Sequence, residues 1–397
     1  MRGRLLELFR AGVARAEPGV AVAAALDDLD RPDLVLALGK AAVGMVGPVL
    51  ERHPGIRAIV VTNPENAVPV PGATVIAGGH PVPDGGSARA GVALLDAAER
   101  LGEGERCLVL VSGGGSALAV APVDGVTVAD KADLSRHLLA AGLDIAAMNR
   151  VRQSVSRLKG GGLARAAAPA RVTSLILSDV VGDDPATIAS GPTVAPNGTL
   201  ADARAILRRA GLWDDVPPGV RAALSAPEPP PPARGDWRLV GSNALSVAAM
   251  ARAAPEAVAH PDPLTGDVAE AAARIAAAAR RGPGLHLWGG ETTVVVTGRG
   301  TGGRNQELAL RVAMRLEDLD RPWTFLSGGT DGRDGPTDAA GGLVDHGTVA
   351  RARAAGMDVA ARLAENDSHP VLDAAGDLLR IGATGTNVAD LQILWVG

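Results

Sequence analysis

The sequence predicts an α/β protein with a parallel sheet. Short uninterrupted runs of Val, Ile and Leu recur along the chain, and most are followed by a glycine-rich or acidic turn and then a helical pattern. Uninterrupted apolar runs are typical of strands that are buried on both faces. Regular alternation of such strands with helices indicates right-handed crossover connections.

The first half of the chain contains five such runs, each leading into a polar segment or a helix. The predicted strands are residues 34–38, 56–61, 73–77, 107–111 and 172–177, and helices are predicted to begin near residues 41 and 86.

A proline-rich stretch at residues 225–234 is predicted to be a semi-rigid surface connection. It places a domain boundary between residues 235 and 236, which gives domains 1–235 and 236–397. Beyond it, strands are predicted at residues 237–240, 284–288, 293–297 and 323–327, and late strands, which the pattern allows to be antiparallel, at 377–381 and 391–396.

Composition excludes several classes of protein. A net charge of −5 and an aromatic content of 2% give no basic block and few stacking platforms for nucleic acid. The single cysteine, Cys107, allows no internal disulfide and fits a reducing compartment. No uncharged apolar run approaches the about 20 residues of a membrane span, and residues 1–10 resemble an amphipathic helix more than a signal peptide. We therefore expect a cytoplasmic protein.

The chain contains only three lysines, Lys40, Lys131 and Lys159. Lys40 and Lys159 each lie in a glycine-rich turn. A compact ammonium group beside backbone N–H groups is a good phosphate ligand. The occurrence of two of the three lysines in such turns favours a functional role. A composition biased toward arginine would also leave a few lysines by chance.

Residues 112–116, Ser-Gly-Gly-Gly-Ser, follow a predicted strand. Ligands of open α/β sheets bind beyond the carboxyl ends of the strands, and successive N–H groups there can hold an anion. A nucleophilic Ser116 and a plain tight turn are the alternatives. The nucleophile lacks Gly-x-Ser-x-Gly spacing and a histidine in an obvious partner position.

Residues 148–164 form a basic helical stretch that ends at three glycines. A solvated helix with a glycine cap and a cationic wall facing an anionic substrate explain it equally well. Residues 178–184 place Asp179 directly after a buried strand, where it could hold Mg²⁺ or take a proton from a hydroxyl. Asp183 and Asp184 fit turn positions as well.

Glycines 298, 300 and 303 match the dinucleotide-binding pattern G-x-G-x-x-G. The match is weakened because it comes late in the chain and no acid lies at the tip of the next strand. Arg304, at the predicted start of a helix, is a better indication of a phosphate or carboxylate site.

Residues 327–342 are the densest polar loop and include Asp331, Asp334 and Asp338. They lack the later bidentate Glu of an EF-hand, so Mg²⁺ or substrate hydroxyls are better candidate ligands. Residues 385–390 are predicted to fold against the same site.

Taken together, these motifs resemble the class II glycerate 2-kinases, over nearly the whole chain. The segments that carry the resemblance are residues 39–42, 80–84, 112–116, 148–164, 178–193, 289–292, 302–307, 330–340 and 385–390. One departure is Gly85, where an acidic residue is expected after Pro83-Asp84.

The resemblance implies two unlike three-layer α/β/α domains: an N-terminal Rossmann-like parallel sheet and a C-terminal MOFRL-type mixed sheet, with the active site in the inter-domain cleft. It also implies transfer of a phosphoryl group from ATP, with Mg²⁺, to the C2 hydroxyl of D-glycerate. Lys40, Asp179 and Arg304 match the functional residues of the family. The oligomeric state stays open, with a homodimer as one alternative.

Further site residues are predicted from their place in these motifs. The expected cofactor-binding residues are Ser112, Gly113, Gly114, Gly115, Ser116, Lys159, Gly160, Gly302 and Gly303; the expected substrate-binding residues are Asn149, Arg152, Glu291, Asn305 and Asp331; the expected metal ligands are Asp179 and Asp331. The rival hypotheses are an NAD(P)H-dependent hydroxypyruvate reductase that uses residues 298–303, a non-catalytic nucleotide-binding protein, and a serine hydrolase at Ser116.

Overall fold

The computed structural model describes residues 1–231 and 235–397, and these residues divide into two compact units. The first unit is Ala21–Val240, and the second combines Met1–Val20 with Gly241–Gly397. Residues 232–234, the end of the predicted proline-rich connection, lie outside the described part of the chain.

The predicted domain boundary at 235/236 differs from this division mainly at the amino terminus. Helix α1 (Arg2–Arg15) belongs to the second unit because its apolar face, including Leu5, Leu8 and Phe9, is buried in the same core as Met250 and Leu391. The sequence predicted the amphipathic helix and could not identify which core it covers.

The sheet of the first unit has the strand order β3-β2-β1-β4-β5-β6, and its first five strands are parallel. The strands are β1 (Leu34–Leu38), β2 (Arg57–Thr62), β3 (Ala73–Ala77), β4 (Arg106–Val111), β5 (Arg171–Leu177) and β6 (Asp236–Gly241). All five residues of β1 are buried, as the uninterrupted apolar run predicted. The strand order reverses between β1 and β4, so ligands are expected beyond the carboxyl ends of these two strands.

The helices of the first unit form two groups. One group packs on the sheet, and the other, formed by α6, α7, α9 and α10, has an apolar core of its own that includes Leu134, Val151, Leu207 and Leu224. The helices are α2 (Pro18–Ala23), which begins before the first residue of this unit, α3 (Ala42–Arg52), α4 (Gly85–Glu99), α5 (Gly115–Leu118), α6 (Val128–Ala140), α7 (Ile145–Ser154), α8 (Gly162–Ala166), α9 (Leu200–Arg209) and α10 (Pro218–Ser225).

The sheet of the second unit is mixed and has the order β12-β11-β10-β13-β9-β7, with β8 pairing with β9. The strands are β7 (Val258–Ala259), β8 (Leu264–Asp267), β9 (Gly284–Thr293), β10 (Trp323–Gly329), β11 (Gly341–Asp345), β12 (Leu378–Leu379) and β13 (Asp390–Val396). The late strand β13 is antiparallel to both β9 and β10, in agreement with the expected mixed sheet.

One predicted strand, at residues 293–297, is wrong. Strand β9 ends at Thr293, and the next residues leave the sheet with Val295 and Val296 exposed. Their apolar, β-branched sequence favoured a strand, but no neighbouring strand pairs with them in the described chain.

The helices of the second unit cover its sheet and include α13, which carries Arg304. After α1 they are α11 (Asn243–Ala253), α12 (Val268–Arg281), α13 (Arg304–Arg315), α14 (Thr348–Ala354), α15 (Val359–Ala364) and α16 (Ser368–Ala375). Across residues 1–231 and 235–397, every helix is too short or too polar to cross a bilayer.

The first turn of α13 is held by Asp334, a buried carboxylate from the loop after β10. Asp334 accepts hydrogen bonds from the backbone N–H groups of Asn305 (3.0 Å) and Gln306 (2.8 Å) and from the Gln306 side chain (3.0 Å). These bonds satisfy N–H groups that a helix start otherwise leaves unpaired. Asp334 therefore fixes the start of the helix and is not available as the metal or hydroxyl ligand that its sequence position suggested.

We expect Asp334→Ala to lower the free energy of unfolding by about 2 kcal/mol, because buried donors lose their acceptor. Thermal denaturation by calorimetry measures the change. Asp318→Ala is the control, since it removes only an exposed ion pair with Arg280 and should leave the melting temperature nearly unchanged. Equal effects of the two substitutions would contradict the capping role.

Candidate functional site

In the first unit, the loops that follow β1, β4 and β5 meet at the carboxyl edge of the sheet. The backbone N–H of Lys40 donates to Gly113 O (2.9 Å), and that of Ala41 donates to Ser112 Oγ (3.1 Å). A Cβ on Gly39, where φ is +131°, would overlap Ser112 Oγ. Glycine at position 39 therefore allows the two loops to come close enough for these bonds.

Lys40 has an exposed side chain that lies across Gly114. A Cβ on Gly114 would lie 3.1 Å from Cγ and 3.2 Å from Cε of Lys40, and 3.3 Å from Cδ2 of His80. Burial, followed by the positive charge of Lys40, lowers the pKa of His80, so this histidine is neutral beside the lysine at pH 7. The basic side chain beside Gly114 is thus that of Lys40 rather than His80.

Asp179 approaches the same loop from the end of β5. A Cβ on Gly113 would overlap the Asp179 carboxylate, so only a glycine at this position leaves room for that side chain. Lys40 and Asp179 therefore contact adjacent glycines, Gly114 and Gly113. The structure brings these two predicted residues together with Ser112.

Ser116 and Lys159 lie beside each other further along the loop. The Nζ atom of Lys159 donates to Ser116 O (2.8 Å), and the Ser116 hydroxyl shares a 2.6 Å hydrogen bond with Ser190. Burial, then the positive charge of Arg152, lowers the pKa of Lys159 to about 8. The partner of the Ser116 hydroxyl is another hydroxyl instead of a histidine, so the arrangement does not resemble that of a serine hydrolase.

The glycines after Lys159 have a structural role. The N–H groups of Gly160 and Gly161 donate to Ser190 O (3.0 Å) and Gly191 O (2.8 Å). Because these N–H donors are used inside the fold, the backbone N–H of Gly160, a predicted cofactor-binding residue, has no hydrogen left for a ligand.

In the second unit, Arg304 is clamped by two carboxylates. Its Nε and Nη2 donate to the two oxygens of Asp390 at 2.7 and 3.0 Å, and its Nη1 donates to Glu291 at 2.6 Å. Strands β9 and β13 are neighbours, which brings Glu291 next to Asp390. The predicted residues Glu291 and Arg304 therefore meet in one cluster.

Asp390 ends the segment 385–390, which was predicted to fold against the site, but the sequence did not predict a role for this residue. It is 1% exposed, and burial raises its pKa to about 6 although the Arg304 charge acts in the opposite direction. Burial disfavours the charged form of Arg304, yet the Asp390 and Glu291 carboxylates outweigh this effect and raise its pKa. The available signal was an acid at the first position of the apolar strand 390–396.

Asp331 lies near this cluster. A Cβ on Gly329 would lie 3.2 Å from Asp331 Oδ1 and 3.6 Å from Asp390 Oδ1. Asp331 Oδ1 also accepts from the Arg333 N–H (2.9 Å). The predicted substrate residue Asn305 is buried and uses its Oδ1 to accept a 2.6 Å hydrogen bond from Ser327, so it supports the cluster from within.

The glycines at 298–303 do not form a dinucleotide-binding loop. The N–H groups of Gly298, Gly300 and Thr301 donate to residues 365–367, at 3.0, 2.8 and 2.8 Å. A Cβ on Gly302 or Gly303 would overlap Ser368 or Asp334, respectively. These glycines allow close packing of two loops, so the expectation that Gly302 and Gly303 bind a cofactor has no support in this geometry.

The residues present offer limited but suitable ligands for Mg²⁺. No group of three His, Cys, Asp or Glu side chains arranged to hold a metal occurs among residues 1–231 and 235–397. Mg²⁺ is commonly held by one or two carboxylates together with substrate phosphates and waters. Asp179, whose carboxylate lies beside the glycine loop, is a ligand of the kind that such a partial site uses.

The chain combines a parallel-sheet unit with a mixed-sheet unit, which places it in the class of two-unit α/β proteins. Comparisons with known proteins identify the family. Residues 4–225 match a family described as a domain of unknown function (DUF4147), and residues 284–390 match the MOFRL family.

Relatives and a solved structure identify the family to which the chain belongs. A Thermotoga maritima protein named D-glycerate 2-kinase is 35% identical over 98% of this chain and 96% of its own length. A crystal structure of a glycerate kinase from Thermotoga maritima superposes with a TM-score of 0.95 at 35% identity, covering 100% of this chain and 99% of the other. An Agrobacterium vitis protein with the provisional name hydroxypyruvate reductase is 41% identical over 99% of this chain and 94% of its own length. The chain belongs to the glycerate kinase family.

We expect the Asp390 carboxyl to titrate near pH 6. In infrared difference spectra of the protein against Asp390→Asn, the C=O band of the protonated acid should therefore appear with a midpoint near 6 as the pH falls. Arg304→Met should move the midpoint higher, because the guanidinium stabilises the ionised form. The control is the same difference spectrum against Asp338→Asn. The exposed pair with Arg380 lowers the pKa of Asp338, so its C=O band should appear only at lower pH. A midpoint near 4 for Asp390 would contradict this assignment.

Proposed function

We propose that this protein is a D-glycerate 2-kinase that transfers the γ-phosphoryl group of ATP to the C2 hydroxyl of D-glycerate. The observation that carries the proposal is the placement of Lys40 and Asp179 on adjacent glycines at the switch point of the parallel sheet. An exposed cation and a carboxylate at such an edge fit phosphoryl transfer, which depends on positioning and charge neutralisation.

The first-unit residues serve the nucleotide in this proposal. Lys40 neutralises charge on the transferring phosphoryl group, and the loop 112–116 positions it. Asp179 would hold Mg²⁺, which supplies charge neutralisation on the β- and γ-phosphates when it is bound.

The second-unit residues serve the hydroxy acid. Arg304 uses three of its N–H donors on Asp390 and Glu291, and we assign the other two to the glycerate carboxylate. Asp331 orients the C2 hydroxyl and accepts its proton. The hydroxyl oxygen bonds to the γ-phosphorus, the bond from that phosphorus to the β–γ bridging oxygen breaks, and ADP leaves with the electron pair.

The reaction itself is tested by incubating the purified protein with D-glycerate, ATP and Mg²⁺. We expect ADP release, with 2-phosphoglycerate as the product identified by phosphorus NMR. A parallel incubation with hydroxypyruvate and NADH tests the reductase alternative. NADH oxidation without ADP release would overturn the kinase proposal.

We expect Lys40→Ala to reduce kcat by about 100-fold or more, because the transferring phosphoryl group loses its nearest cation. Steady-state assays at saturating ATP and glycerate measure the loss, and circular dichroism and thermal melting check the fold. Arg52→Ala is a matched control, since it removes an exposed cation paired only with Asp27 on the same unit. Near-normal turnover of Lys40→Ala would remove Lys40 from the mechanism.

We expect Arg304→Lys to raise the KM for glycerate at least about tenfold while the KM for ATP barely changes. Lysine keeps the charge and loses the planar fork that binds a carboxylate through two donors. Arg299→Lys, on the exposed neighbouring loop, is the control and should leave both constants unchanged. A fall in kcat with unchanged KM values would instead assign Arg304 to the transferring phosphoryl group.

A further inference from the structure

A cavity of about 500 Å³ lies in the first unit beside the glycine loop. Helices α6 and α7, Ser116 and residues 81–83 contribute to its lining. It combines two features: a group of cations without carboxylates, and an apolar wall.

Three basic side chains that are buried or half-buried line this cavity: Lys131, Arg152 and Lys159. Lys159 is 5% exposed and donates to Ser116 O (2.8 Å), and Lys131 donates to Val155 O (3.2 Å). The buried Nε of Arg152 finds no acceptor among the described residues. None of the described residues that line the cavity is Asp or Glu.

The positive charges of these side chains also repel one another. Burial and the nearby positive charges of Lys159 and Arg152 lower the pKa of Lys131, and burial lowers that of Arg152. Buried charges without counterions are unfavourable in a folded protein, and they become favourable when an anion binds. A fourth lining cation, Arg136, differs because it is exposed and ion-paired with Asp133.

An apolar wall of the cavity includes two exposed side chains, Val82 (72%) and Leu139 (60%). Val128 and the buried Leu134 also line the cavity. A three-carbon hydroxy acid has no apolar group to use this wall and is far smaller than the cavity. A ligand with a flat apolar body and a polyanionic end matches both features.

The geometry points to this cavity as the nucleotide site, with Lys131, Arg152 and Lys159 holding phosphates and the wall formed by Val82 and Leu139 holding the base. Lys159 bonds to Ser116, so the cationic end adjoins the glycine loop over which Lys40 lies. The inference rests on the proposed kinase function and deepens it. It assigns Lys131, and it moves Arg152 from the predicted hydroxy-acid site to the nucleotide.

The test is direct binding of a non-hydrolysable ATP analogue, measured by calorimetry. We expect Lys131→Met and Arg152→Met each to weaken binding at least about tenfold, while Arg136→Met binds as the unchanged protein does. Without nucleotide, both variants should melt at the same or a higher temperature, because each loses an uncompensated cation. This rules out unfolding as the reason for weaker binding.

Two further measurements separate the ligands. Leu139→Asp, at an exposed position, should weaken binding of the ATP analogue. Binding of inorganic triphosphate should be less affected, because triphosphate has no base to contact this wall. Equal binding by the unchanged protein, Lys131→Met and Arg152→Met would overturn this inference and leave the kinase proposal intact. Failure of the unchanged protein to bind the analogue would overturn both. Binding of inorganic triphosphate alone would overturn the nucleotide assignment.

Discussion

The close approach of three loops at the carboxyl edge of the parallel sheet is the constraint on which the first unit depends. Gly39 and Gly113 leave no room for a Cβ, the former against Ser112 and the latter against the Asp179 carboxylate. The hydrogen bond from Lys40 N–H to Gly113 O joins two of these loops through the backbone. Side chains far apart in the chain, Lys40 and Asp179, are thereby held against neighbouring glycines. A larger residue at either glycine would separate the loops and remove the arrangement.

Positively charged side chains have opposite surroundings in the two units. In the second unit, Arg304 is fixed by Asp390 and Glu291, and Asp334 fixes the helix that carries it. Its orientation is thus set before any ligand arrives, which reduces the entropy lost on binding. In the first unit, the cations Lys131, Arg152 and Lys159 share a cavity whose described lining has no acid. A bound anion would relieve their repulsion. The arrangement in the second unit favours accurate orientation of Arg304, and the arrangement in the first unit favours strong attraction of an anion.

Glycine-rich segments of similar sequence have different roles because their N–H groups have different partners. Those of Gly160 and Gly161 bind the carbonyls of residues 190 and 191, and those at 298–301 bind residues 365–367. In both segments the glycines allow close packing. Of the three segments compared, residues 112–114 are the one that lies against the Lys40 and Asp179 side chains. A glycine-rich sequence therefore indicates that another segment packs closely against it, but it does not indicate which segment that is.

The sequence by itself determined the α/β class, nearly all the principal strands, and the location of Lys40, Asp179 and Arg304 at the ends of elements. These features follow from local apolar runs and from the rule that turns follow strands. Only the tertiary structure decided that helix α1 covers the second core, that residues 294–297 leave the sheet, and that Asp334 caps α13. It also paired Asp390 with Arg304 and grouped Lys131 with Arg152. Each of these depends on a contact between distant segments, and local periodicity does not encode which distant partner a residue meets.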